Sequence, residues 1–334
     1  MISIEISHKA DVNWNKRLIQ SPFGTTAQIQ ELTFQFEKNN EIPYFLRFID
    51  SSGNIVGQLL LSESLRFNDS TKKTKMLNHI GKFSNILSKS SLKTKFFKWS
   101  YGPVIFNPEY SSAIYISLQN FLLSHKSHLV LGWQHPFAID GIESLDDNFN
   151  LIKWSTFAID LSKSKEELLQ NIDKHSGRKN IQRAIKRGIT IMEIDDTNLY
   201  DYFLLLNESK ESSNPINSNY ELFSKMWNIL KPYGRGGFLA KKDGIPISGL
   251  SFSSLCGHII EGGVARSSTD KTNVLYSQDL IKWKIIEWGL ENNMKWYNLA
   301  GFNPEPVSEK EKGIFRFKKK WGGKQFNYNG IQLK

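Results

Sequence analysis

Around residue 150 the pattern of this 334-residue chain starts again. Before that point PYFLRFI (43–49) and IVGQLLL (55–61) read as two strands around the turn DSSGN, and WSYGPVIF (99–106) reads as a strand broken by Gly-Pro. Residues 110–124 then have helical spacing, and HLVLGW returns as a strand. After it, LIKWSTFAIDL is a strand, and SKSKEELLQNI opens a helix with Ser164 as N-cap and Glu167 three residues on. Helices follow at 199–209 and 220–230, then strands at GGFLAKK, ISGLSFSS and HIIEGGVA, the helix YSQDLIKWKIIEWGLEN, the strand KWYNLAG and the terminal FRFKKKW. Helices alternating with antiparallel-looking strands predict an α/β chain in two halves, each a mixed, mainly antiparallel sheet flanked by helices. The division is expected at 152/153. Residues 70–98, rich in Lys, Ser and Thr, read as a solvent-exposed connection. No heptad run is long enough for a coiled-coil arm.

Composition narrows the function. Hydrophobic residues make up 40% of the chain, enough for two cores, and the single cysteine excludes an internal disulfide framework. Cys256 lies in the apolar run SFSSLCGHII and reads as a small core residue. The N-terminal residues show no secretory pattern, and no apolar run approaches the roughly 18 residues of a membrane span. The expectation is a soluble, cytoplasmic protein. A formal net charge of +10 favours polyanionic partners: RNA, a nucleotide-linked precursor or an anionic membrane surface.

The charge is uneven. KHSGRKNIQRAIKRGI (174–189) holds six Lys or Arg and one His in sixteen positions. At helical period, Ile181, Ala184, Ile185 and Gly188 form one stripe while Lys179, Arg183, Lys186 and Arg187 face the other way. Those four are the residues expected to face RNA. Arg178 flanks the apolar stripe, where its fork can meet a carboxylate or phosphate. The second basic stretch is KEKGIFRFKKKWGGK (310–324). Read as a strand, it puts Arg316, Lys318 and Lys320 on one face and Phe315, Phe317 and Trp321 on the other. A lysine whose stem is fixed by such packing can hold its ammonium against a developing oxyanion. Lys318 is the candidate for that catalytic role.

Much chemistry is missing. There is no Gly-rich dinucleotide fingerprint after a strand, no GK[ST] loop, no GxSxG, no HxxxH pair with a carboxylate and no zinc spacing. Metal or covalent catalysis is therefore not expected, and no cofactor is called for. What is left is the positioning of two substrates and the stabilisation of negative charge.

Three stretches in order carry a resemblance: WSYGPVI, TFAIDLSKSKEELLQNIDKHSGRKNIQRAIKRGI, and VLYSQDLIKWKIIEWGLENNMKWYNLAGFNP running to GIFRFKKKWGG. Together they resemble the Fem (FemABX) aminoacyltransferases over about three quarters of the chain. The resemblance implies two domains of GNAT-like fold, and transfer of an amino acid from aminoacyl-tRNA to an amine of a peptidoglycan-type precursor. The partners implied are aminoacyl-tRNA and a nucleotide- or lipid-linked anionic precursor, with peripheral contact to an anionic membrane. Gly313, Ile314, Phe317, Lys318, Trp321, Gly322 and Gly323 match the family's GIxxFKxxFGG element. Tyr101, before Gly102-Pro103, matches a substrate-contacting tyrosine. Tyr276 opens a helix that faces the site in GNAT-like folds, and Arg178 and Arg316 join the substrate-binding set. The chain departs from the family in carrying Phe106 and Asn107 where an acidic residue is usual, and in replacing YDxGG by Tyr297, Asn298, Leu299, Ala300 and Gly301. Asn298 stands in the place of the carboxylate and is grouped with the substrate-binding residues. Two alternatives stay open: an acyl-CoA-dependent N-acyltransferase of GNAT fold acting on a surface sugar or polyamine precursor, and a non-catalytic RNA-binding protein. The loop RSSTDKTNVLYSQDL, which would hold a CoA pyrophosphate, has no glycine.

Overall fold

The structure, a computed structural model, describes residues 2–66, 94–125, 129–138, 140–210 and 219–333. The expected connection at 70–98 and the loop after the 199–209 helix lie largely outside these residues. Contacts divide the chain into two compact units, 1–153 with 328–334, and 154–327.

The first unit contains β1 (Ser3–Ser7), α1 (Trp14–Gln20), α2 (Thr33–Lys38), β2 (Ile42–Ile49), β3 (Ile55–Arg66), β4 (Thr94–Trp99), β5 (Val104–Ile105), α3 (Ser111–Ser124) and β6 (Leu129–Trp133). The expected hairpin is β2–β3, paired antiparallel from Ile42↔Glu63 onward. The strand at 99–106 is broken at Gly-Pro, as expected. β4 ends at Trp99 and β5 begins at Val104, because Tyr101 takes a left-handed backbone (φ 51°) ahead of the cis Gly102-Pro103 peptide. The strand order is β1-β2-β3-β4-β6, with β5 paired to β3. Leu46, Leu59 and Phe97 from the sheet and Ile114 and Leu118 from α3 make its core.

The second unit runs β7 (Phe149–Asp160), α4 (Lys165–Asn171), a π-helical turn (Lys174–Arg178), α5 (Lys179–Lys186), β8 (Ile189–Glu193), α6 (Leu199–Lys210), α7 (Tyr220–Leu230), β9 (Arg235–Lys242), β10 (Ile245–Leu255), β11 (His258–Arg266), α8 (Ser268–Thr272), α9 (Ser277–Glu291), β12 (Trp296–Phe302), α10 (Glu309–Lys319) and β13 (Lys324–Leu333). Its sheet order is β7-β12-β11-β10-β9-β8. The alternation along β9 feeds two cores. Phe238 and Ala240 pack with Ile281 and Ile285 of α9, while Leu239 packs on the other face with Tyr202 of α6 and Trp227 of α7. Cys256 is partly buried at the Cys256-Gly257 turn joining β10 to β11, both residues left-handed, so it sits in a tight hairpin turn and is not a core residue.

Four expectations change. The stretch 315–321 is not a strand: Ser308 and Glu311 form a capping box that starts α10, and Gly322 at φ 73° turns the chain after it. The alternation of aromatic and basic residues is local and coincides with period two only over a few positions. The basic helix starts with a π turn, whose extra residue rotates everything after it by about 100°. Ile181 and Ala184 stay buried, but Ile185 is 57% exposed. The helix also stops at Lys186, since Gly188 (φ 73°) turns the chain into β8. Finally, Tyr328–Lys334 return to the first unit through Ile331↔Gly132 pairing of β13 with β6, where the whole C terminus was expected in the second. Among the described residues the longest helix, α9, has 15 residues, and none is long and apolar enough to cross a membrane.

Candidate functional site

β11 and β12 run parallel and pair only over His258–Ile260 and Trp296–Asn298, although both strands continue. Beyond that point β12 is distorted. Its register against β7 slips between Asn298 and Gly301, and Ala300 adopts φ 61°. One extra residue in a strand re-aims the neighbouring peptide groups, a device common beside binding sites. Here the carbonyls of Ala300 and Gly301, at the slip, both accept from a side chain.

Lys318 meets those carbonyls. From the last turn of α10 its Nζ donates to Ala300 O at 2.8 Å and Gly301 O at 2.9 Å. An ammonium has three donors, so one is left to point at a ligand. Burial pulls its pKa down to about 8, with Glu261 opposing that shift and Lys282 adding to it. The helix thus delivers the lysine by another route than the expected strand. Arg316, two positions back, is exposed on a different face of α10.

Asn298 is wholly buried, and its Oδ1 accepts from Thr156 Oγ1 at 2.5 Å and from Ala300 N at 2.9 Å. It braces the bulge that presents the two carbonyls. Thr156 Oγ1 also reaches Ala300 O at 2.9 Å.

Around Lys318 lies a buried ionic group that sequence reasoning missed. Lys282 of α9 pairs with Glu261 of β11, their side chains 3% and 5% exposed, and Glu261 also accepts from Tyr297 Oη at 2.5 Å. Lys320 pairs with Asp279, which also takes a 3.4 Å contact from Asn180 Nδ2. Burial pushes Asp279 up and Lys320 down, each toward its neutral form. Phe317 sits between two cations, its ring centroid 5.5 Å from Lys282 Nζ and 4.2 Å from Lys320 Nζ. The signal was present in the sequence: Asp279 and Lys282 stand beside the apolar residues Leu280, Ile281 and Trp283 of α9, and Glu261 interrupts an apolar strand. Charges at such positions are paired or functional.

Arg178 ends the π turn partly buried, with a sealed Nε that has no hydrogen-bond partner. The same turn touches the end of α10, since Asp173 N donates to Lys320 O at 2.7 Å. Tyr276 has φ 60° and precedes α9, and Arg183 and Arg187 flank it at 5.6 and 5.1 Å from its ring centroid. Arg187 also donates to Val274 O. All four residues expected to face RNA are exposed, and two of them, Arg183 and Arg187, also lie against Tyr276 at the start of α9. Tyr101 belongs to the first unit. Its ring lies 6.0 Å from that of His135, and burial raises its hydroxyl pKa to about 12, so it acts only as a neutral donor or acceptor.

No sequence-family model and no curated protein sequence matches the chain. Solved structures do. FemX aligns over 99% of this chain and 97% of its own, with a TM-score of 0.71 at 14% identity. L-PGS from Bacillus licheniformis covers 99% and 94% (TM-score 0.57, 13% identity). A tandem GNAT protein from the clavulanic acid biosynthesis pathway covers 100% and 98% (TM-score 0.52, 10% identity). Helices on a mixed sheet, a parallel pair that parts at a bulge, and these likenesses agree: the protein has a Fem-like fold of GNAT type.

Proposed function

We propose that the protein is an acyltransferase that moves an aminoacyl group from aminoacyl-tRNA to an amine of a nucleotide- or lipid-linked cell-envelope precursor. The observation that carries this reading is the Lys318 ammonium, held on two main-chain carbonyls beside the end of the β11–β12 pairing with a donor to spare. The acceptor amine attacks the ester carbonyl, a C–N bond forms and the carbonyl oxygen becomes an oxyanion. Lys318 stabilises that charge. Collapse breaks the C–O bond to the ribose, and the proton lost by the amine balances the one gained by the leaving hydroxyl. No external base is consumed. Exposed Lys179 and Lys186, with Arg183 and Arg187 beside Tyr276, offer a basic surface for the phosphates of the donor. Tyr101 is assigned to acceptor contact.

Arg183 and Arg187 beside the start of α9 would equally suit the phosphates of an acyl-CoA. One experiment separates the readings. The purified protein is incubated with cellular RNA and acyl-CoA, bound species are identified, and transfer to amine acceptors is measured for wild type and Lys318→Ala. Enrichment of one charged tRNA, with transfer lowered roughly 10²–10³-fold in the variant, is the expected result. Recovery of CoA without tRNA would overturn aminoacyl transfer.

A further inference from the structure

On the opposite face of the second unit's sheet stands a cation that the mechanism above does not use. Arg235 opens β9 and shares a face with Gly237 and Leu239, the face covered by α6 and α7, whereas Phe238 and Ala240 face α9. Its guanidinium carbon lies 5.1 Å from the Trp227 ring centroid, and Trp227 is 2% exposed. Its Nε is buried with no hydrogen-bond partner, and among the described residues it forms no ion pair. Burial lowers its proton affinity, opposed only by Tyr202.

The chain makes room for this cation. β11 bulges at Gly262 and Gly263, which together stand opposite the single Ser251 of β10. A Cβ on Gly262 would stand 2.6 Å from Ser251 Oγ and 3.2 Å from Arg235 Nη1, and one on Gly263 would stand 2.7 Å from Tyr202 Oη. The other polar groups of the niche are already engaged. Tyr202 Oη donates to Gly263 O at 2.7 Å, and Ser251 Oγ accepts from Gly263 N at 2.9 Å. Adjacent glycines within a strand commonly mark a close approach by a ligand or another group. Arg235 is half-buried, so its guanidinium is partly withdrawn from water without an anion, and its planar fork suits a bidentate oxyanion.

We infer that Arg235, held on Trp227 beside Gly262, anchors a binding site for an oxyanion, a carboxylate or a phosphate group carried by a ligand. The site lies on the face of the sheet opposite α9, and the transfer reaction proposed above does not call on it. Stacking on Trp227 fixes the plane of the fork, leaving Nη1 and Nη2 to receive the two oxygens.

The test uses the full chain labelled with 5-fluorotryptophan, the Trp227 signal being assigned with Trp227→Phe. Sodium acetate and inorganic phosphate are titrated separately at constant ionic strength, with chloride as control. A saturable shift of the Trp227 fluorine signal with acetate identifies a carboxylate site, and one with phosphate a phosphate site. Either shift should vanish in Arg235→Met and need at least tenfold more anion in Arg235→Lys, while the remaining tryptophan signals report an intact fold. Absence of a saturable shift with both anions in the wild-type protein overturns the proposal, as does a shift that survives Arg235→Met. Because the wild-type titration is decisive by itself, misfolding of a variant does not protect the idea.

Discussion

Lys318 carries a positive charge into a place where charge is expensive. Two carbonyls take two of its three donors and Glu261 supports its proton, yet burial still brings its pKa to about 8. A lysine depressed from its usual value of about 10.4 is an ammonium below pH 8 and a neutral amine above it. If the ammonium stabilises the oxyanion, the transfer rate should fall as pH rises through about 8, and Lys318→Arg should move that alkaline limb upward. An unchanged limb in the arginine variant would assign it to another group. The Glu261–Lys282 pair makes a sharper demand on stability. Glu261→Gln leaves Lys282 buried without its counter-charge, at a cost of about 3–5 kcal/mol, whereas replacing both with leucine should recover most of that loss. Urea denaturation of the three proteins checks this, and equal losses in single and double variants would contradict it.

At the scale of elements, a helix and a strand compete for short windows. The 315–321 segment alternates aromatic and basic residues as a strand would, yet Ser308 and Glu311 had already committed the chain to a helix seven residues earlier. Starting signals outside the window decided its state. The π turn at Lys174–Arg178 similarly changed which isoleucine is buried in α5. Ile181, 4% exposed, should cost about 2–5 kcal/mol when cut to alanine. Ile185, 57% exposed, should stay within about 0.5 kcal/mol. Melting temperatures of the two variants test the register directly, and comparable losses would mean that the π turn is misplaced.

For the whole molecule, the net charge of +10 matters more than any single surface pair. Binding of a polyanion releases counterions, so log K should fall linearly with log salt, by about 0.7–0.9 for each phosphate neutralised. Arg183→Glu with Lys186→Glu should weaken RNA binding and flatten that slope by roughly one to two units. Unchanged affinity at low salt would remove α5 from the binding surface. Arg183 flanks Tyr276, so Lys186→Glu alone is the cleaner control for fold.

Much was legible in the sequence. The restart near residue 150, the β2–β3 hairpin, the Ser164 cap and the order of strands β9 to β11 follow from periodicity and local capping chemistry, which act over a few residues. Lys318 could be singled out by its motif but not placed, because its partners, Ala300 and Gly301, are 18 and 17 residues away and meet it only once β12 bulges. Glu261, Lys282 and Asp279 appeared only as charges among apolar residues, and Lys320 only as one of a basic run. Their pairing required α9 and α10 to be set against the sheet, and Arg235's isolation is visible only when every neighbour is in place. Local free energies choose elements, whereas burial and charge pairing depend on residues distant in the chain and are decided by the tertiary structure.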